Sequence, residues 1–230
     1  MWIIADARLP EIIKENLSNY GTLLEFSSNA IVYDAISGHP DIFCCCTDQQ
    51  LIIAPNTPAE FIAMLKSSKI NFYLGDALLG NTYPETAHYN ALSTEHYLIH
   101  NLDYTDKKIK EAAQDKLAIH VNQAYTRCNL IFLNPTHFIT SDKGIEQTLV
   151  KHGLVGFYVH PEGIQLKGFS HGFFGGCCGI HKHRLFLNGS LSYLPEKKAL
   201  TAFLSNQEIE TIELYQGPLI DSGSLLFLHY

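Results

Sequence analysis

The side chains with the most chemistry stand in pairs, two residues apart, at the starts of five apolar runs. The pairs are Asp41 and Phe43, His88 and Asn90, Arg127 and Asn129, Gly175 and Cys177, and Asp221 and Gly223. In a strand, residues i and i+2 share one face. If the five runs converge on an axis, that face gathers two acids, an imidazole, a guanidinium, two amides and a thiol at one mouth. Asp41 and Asp221 would receive a guanidinium or amine, and Arg127 would hold a carboxylate bidentately. Together they suit a zwitterionic, amino-acid-like ligand, with His39, Asn90 and Asn129 as further contacts and Asp6 and Arg8 at the rim. The alternatives are salt bridges among these residues, or strand-start side chains that satisfy loop backbone.

Cys177 is the thiol best placed for covalent chemistry. It needs activation, because the thiolate is the reactive form. Arg127 or a histidine would supply it. His171, six residues upstream in a glycine-rich loop, is the expected base, and His39, held extended by Pro40, is the alternative. Cys177, His171 and Asp41 are thus the candidate catalytic set. The other reading of Cys177 is a buried small residue. Gly172, Gly175 and Gly176 permit close backbone approach but form no phosphate loop. No cofactor is expected.

The six cysteines, at 44, 45, 46, 128, 177 and 178, lie in apolar runs. There free cysteine behaves as a small hydrophobe, and a reduced, cytoplasmic protein is the expectation. Neither cysteine cluster has zinc-ligand spacing, and His181-Lys182-His183 falls in an expected hairpin turn, so no metal site is expected. The N-terminal MWIIADARLP lacks a basic flank and meets Asp6, unlike a signal peptide. Of 230 residues, 46% are apolar and 17% charged, with a net charge of −7. This composition is globular. It offers no membrane-spanning stretch and argues against binding nucleic acid.

The elements that would position these residues repeat along the chain. LIIAPNTPAEFIAML from Leu51 parallels WIIADARLPEIIKENL from Trp2, and similar segments begin at Tyr97, His137 and Arg184. Each gives a strand, a turn and an amphipathic helix. Proline near the helix start and Asp103, Asp142 and Ser190 near the turns punctuate them. A hairpin partner precedes four of these strands across the turns TDQQ, TEHY, NPT and HKHR. A third strand follows every helix. Hairpin starts fall 39 to 48 residues apart. The unpaired first strand, DSGSLLFLHY from Asp221, would pair with the orphan Trp2–Ala5. The expectation is a single α/β domain over 1–230, with five strand-strand-helix-strand units closed by its two ends. An open α/β sheet is the alternative.

Five such units around an axis resemble the pentein, or guanidino-modifying-enzyme, fold of arginine deiminases, amidinotransferases and dimethylarginine dimethylaminohydrolases. SGHPDIF (37–43), CN (128–129), TSDKGI (140–145), GFFGGCCG (172–179) and DSGS (221–224) resemble an uncharacterised bacterial family assigned to this fold. The resemblance implies a small-molecule site at the mouth of the central channel, for a guanidino or amino-acid-like compound. It places the hydrolase histidine on Gln165 and the nucleophile near Leu225 or Leu226, with Ser224 the nearby hydroxyl; Asp41 survives from the acidic substrate-binding segment. Glutamine cannot accept a proton at neutral pH and leucine cannot attack a guanidinium carbon. The competing functions are therefore a small-molecule binder or C–N hydrolase or transferase, a non-catalytic protein that docks on a macromolecule such as the ribosome, and an inactive hydrolase descendant.

Overall fold

The computed structural model describes residues 1–47 and 50–228. Within the TDQQ turn, Asp48 and Gln49 lie outside the described residues, as do His229 and Tyr230 of the last expected strand. Five three-stranded sheets follow one plan. The first unit joins Cys44–Cys46, Leu51–Ile53 and Phe72–Leu74. The second joins Leu92–Ser93, Tyr97–His100 and Leu117–His120, and the third Leu130–Phe132, His137–Thr140 and Val155–Tyr158. The fourth joins Cys178–His181, Arg184–Leu187 and Glu210–Glu213. The fifth is assembled from both ends of the chain: Leu226–Leu228, Trp2–Asp6 and Thr22–Phe26. In every sheet the middle strand runs antiparallel to the first and parallel to the third. Trp2 pairs with Leu228 and Ile4 with Leu226, as the orphan strand requires.

The middle strands are apolar because both their faces are covered: Ile3, Ile52, Ile99, Ile139 and Leu185 are all buried. A helix crosses from each middle strand to its parallel neighbour: Glu11–Ser18, Ala59–Ser67, Lys107–Ala112, Lys143–Lys151 and Lys197–Asn206. In four of the five, residues four apart bury one stripe: Ile13 and Leu17, Phe61 and Leu65, Ile145 and Leu149, Leu200 and Leu204. Asp142 caps its helix through Ile145 N–H at 2.9 Å. The cap expected near Asp103 is Asp106 instead, which accepts from Lys108 N–H at 2.8 Å. Ser190 caps only the short turn Leu191–Tyr193.

The first strands begin later than their apolar runs suggest. Pro40–Phe43 and Thr126–Asn129 are single α-helical turns, and Gly175–Cys177 is a 3₁₀ turn. Asp221–Ser224 turns through Gly223 and Ser224 at φ 72° and 69°. Pro40 occupies a first helical position, where its fixed φ and missing N–H cost nothing. In such turns successive side chains rotate around an axis instead of alternating between faces. The expected shared face of residues two apart therefore does not form, and adjacent Arg127 and Cys128 go to different cavities.

These turns meet in a hydrogen-bonded belt that links all five units. Asn90 Nδ2 donates to Asp41 O at 3.1 Å, and Arg127 N–H to Asn90 O at 2.9 Å. Arg127 Nη1 reaches Gly175 O at 3.3 Å. Ser224 N–H donates to Gly176 O at 2.9 Å, and Asp41 N–H returns to Gly223 O at 3.2 Å.

Candidate functional site

On one side of the belt lies a chamber of about 220 Å³. Its walls are largely aromatic, with Tyr33, Tyr125, Phe169 and Phe173, and its polar groups include His39, Cys128, His171 and Asp221. An outer cleft of about 960 Å³ shares His39, Leu166, Phe169, Ser170 and Asp221 with it. At the cleft rim Arg8 is engaged by Asp6, with Nη2 to Oδ2 at 2.7 Å, and by the backbone oxygen of Asp34, also at 2.7 Å. Asp6 and Arg8 thus form an ion pair in the lining of the cleft.

Asp221 is the acid that faces the chamber. Its Oδ2 accepts Phe173 N–H at 2.8 Å and its Oδ1 accepts Gly223 N–H at 3.2 Å. Burial pushes its carboxyl up to about 6, with the charge of Asp41 adding to the rise and His39 opposing it. His39 Nδ1 stands 3.9 Å from Asp221 Oδ1, too far for a hydrogen bond. Three glycines make room for this pair. A Cβ at Gly172 or Gly176 would meet Asp221, and one at Gly223 would meet His39.

Asp41 is fully buried behind the chamber floor. Ser224 Oγ donates to its Oδ2 at 2.6 Å, and the Cys128 thiol donates to the same oxygen at 3.2 Å. Ser224 also lies 3.0 Å from Gly175 O; its single proton serves the shorter, charge-assisted bond. Asp41 Oδ1 and His39 Nδ1 are buried with no hydrogen-bond partner among the described residues. Such atoms cost free energy unless something else satisfies them.

The expected set divides in four. His39, His171 and Asp221 share the chamber, with Asp41 and Ser224 beneath it. Arg127 projects to the other side of the belt, so it does not complete a zwitterion site with Asp221. Asn90 and Asn129 are tied into structure: Asn90 bonds Asp41 O and the amide of Cys128, and Asn129 bonds Tyr125 O and Ser141. Cys177 lines neither cavity on this side. It is fully buried, its thiol donates to Phe173 O at 3.2 Å, and burial pushes that thiol up. His171 Nδ1 lies 3.1 Å from Gly172 O. Among the described residues no base is bonded to Cys177.

By sequence Cys128 is an ordinary residue of an apolar run. The helical turn at Thr126–Asn129 aims it at the chamber instead. Burial and the nearby carboxylates push its thiol up as well, so it is a hydrogen-bond donor here, not a thiolate. Tyr33, Tyr125 and Phe169 come from irregular segments where no periodicity marks an inward side chain. Alkylation provides a check: Cys177 is expected to resist iodoacetamide in the native protein and react only on unfolding, as read by peptide mass spectrometry. Cys177→Ala should leave ligand binding unchanged; native-state labelling of Cys177 faster than half-buried Cys46 would contradict this geometry.

Five sheet-and-helix units, the last assembled from the two ends of the chain, define the pentein fold. Solved structures agree. The chain has a TM-score of 0.58 at 10% identity to a substrate-bound C. jejuni agmatine deiminase variant, covering 93% of this chain and 87% of that one. An amidinotransferase from Microseira wollei gives 0.54 at 8% identity, with 96% and 88% covered. A dimethylarginine dimethylaminohydrolase variant from Pseudomonas aeruginosa, complexed with citrulline, gives 0.51 at 8%, with 93% and 92% covered. The chain belongs to the DUF6873 family, a family of unknown function, whose sequence model matches residues 4–226. No curated protein matches it. No helix among the described residues is long and apolar enough to cross a membrane.

Proposed function

We propose that this protein binds a small cationic molecule, of guanidino or amine type, in the aromatic chamber, with Asp221 as its counter-charge. One observation carries the reading: Asp221 and His39 face the chamber, His39 Nδ1 is buried with no hydrogen-bond partner among the described residues, and no lysine or arginine lines the chamber among them. A cation entering it would gain the Asp221 carboxylate and the faces of the surrounding aromatic rings. Asp41 adds negative potential from beneath. Cys128 and Ser224 hold that carboxylate in place.

The reading is of binding, without the thiol step of the guanidino hydrolases. Gln165 lines the outer cleft and Leu225 and Leu226 are buried apolar residues. None of the three can serve as base or nucleophile. The similar agmatine deiminase variant holds a substrate, which makes agmatine a sensible first probe beside arginine and guanidinium.

Agmatine should raise the melting temperature of the native protein saturably at pH 7.5. Asp41→Asn should retain a smaller shift, since Asp41 acts through space, and Cys177→Ala a full one. If no guanidino or amine probe shifts the native protein, the reading fails.

A further inference from the structure

On the far side of the belt from the acidic chamber, Arg127 faces a second cavity of about 180 Å³. Its walls include Cys46, Ser93, Phe132, Ile180 and Leu226, and no acidic side chain lines it among the described residues. A guanidinium carries five N–H donors. Arg127 spends only Nη1, on long bonds to Leu130 O at 3.4 Å and Gly175 O at 3.3 Å. It makes no ion pair among the described residues. Its charge reaches the thiols of Cys45, Cys46 and Cys178 and opposes the rise that burial imposes on each. A half-buried cation in a mainly apolar cavity, with most of its donors unspent, is under-compensated.

We propose that this cavity is a binding site for a small monocarboxylate with a short apolar tail, separate from the cationic site and independent of it. The carboxylate would take the free edge of the Arg127 guanidinium in the two-bond geometry that suits both groups. The Ser93 hydroxyl is a further donor on the wall. Phe132, Ile180 and Leu226 would cover the tail. One guanidinium matches a single negative charge; the Lys116 ammonium behind the wall is engaged by the Ser93 hydroxyl oxygen at 2.9 Å and by Thr94 O and is not in the lining. The volume admits a chain of a few carbons and excludes long fatty acids.

Butyrate is the probe, with butyramide as its neutral counterpart. Well above its dissociation constant, butyrate should raise the melting temperature of the native protein by about 5 °C, and butyramide should not. Arg127→Met should abolish the shift, Arg127→Lys should weaken it, and Asp221→Asn should leave it intact. Arg127 also belongs to the belt, so its loss could unfold the protein. A second measurement therefore uses the unmodified chain: butyrate at about ten times its dissociation constant should slow alkylation of Cys46 by iodoacetamide about tenfold. An equal shift with butyramide, a shift retained in a folded Arg127→Met variant, or unprotected Cys46 would each overturn the proposal.

Discussion

Replacing Asp221 by asparagine is expected to stabilise the protein at pH 7 by about 2 kcal/mol while lowering its affinity for a cationic ligand by about a hundredfold or more. The carboxyl of Asp221 sits at about 6, above its ordinary 3.8, chiefly because burial disfavours the charged form. Above pH 6 the group is ionised in both folded and unfolded chains, and the folded state bears the whole cost, about 3 kcal/mol. Below about pH 4 it is protonated in both and the cost vanishes. This residue's contribution therefore makes the native protein more stable as pH falls from about 6 to about 4. Asparagine removes that slope. It also loses one accepted N–H bond, worth about 1 kcal/mol, which sets the net gain. Urea unfolding of both proteins between pH 4 and 8 measures this. The same slope in both would show that Asp221 is not the titrating group.

The binding side of this prediction runs the other way. Removing one partner of a buried charge pair costs several kcal/mol, so agmatine affinity should fall by about a hundredfold or more in Asp221→Asn. In the native protein, affinity should weaken as pH drops through about 6, because protonation removes the counter-charge. A site that keeps a charge at the expense of stability is a site that uses it. Agmatine binding that survives in Asp221→Asn would move the cation elsewhere.

Replacing Gly175 by alanine is expected to cost more than about 3 kcal/mol, a value reached only by severe core disruptions. An added Cβ would come within 2.6 Å of Cys128 O and closer still to Arg127 O. Both are backbone atoms, so no side chain can rotate away. The third and fourth units would have to separate, and the belt would open where Arg127 reaches Gly175. Gly153→Ala is the control. Gly153 has φ +81° and nothing within 4 Å of the added carbon, so it should lose only about 1 kcal/mol through backbone strain. Urea denaturation separates the two. Equal, small losses would show that the units at Gly175 do not meet as tightly as the structure places them.

Much of the architecture is legible in local pattern. Apolar runs followed by amphipathic helices, three announced by proline and two by aspartate, locate all five middle strands and their helices. The orphan strand at Trp2 and the unpaired run before Leu228 predict their own pairing. These features are local, or they follow from counting strands that lack partners. The caps show the limit of the same reading: Asp142 lies where expected, but Asp106 and not Asp103 starts its helix, because boundaries depend on which backbone N–H groups remain unpaired.

The site was legible in residue type but not in direction. The acids Asp41 and Asp221 and the imidazole of His39 stand out by chemistry and end up together. Strand alternation then places Arg127 beside them, and the structure separates it. The reason is a helical turn before three of the first strands, that of Arg127 among them, which replaces two-fold alternation by rotation. A short apolar run does not reveal whether its first residues are extended or helical. The same rotation turns Cys128 toward the chamber, while Cys177 is sealed beneath Phe173.

By itself, then, the sequence determined five repeating units, their closure through the chain ends, and the kinds of group available for binding. Only the tertiary structure decided which of those groups share a cavity. That depends on the packing of five turns contributed by distant segments, where a helical backbone turns successive side chains by about 100° and an extended one by about 180°, enough to send a side chain to one side of the belt or the other.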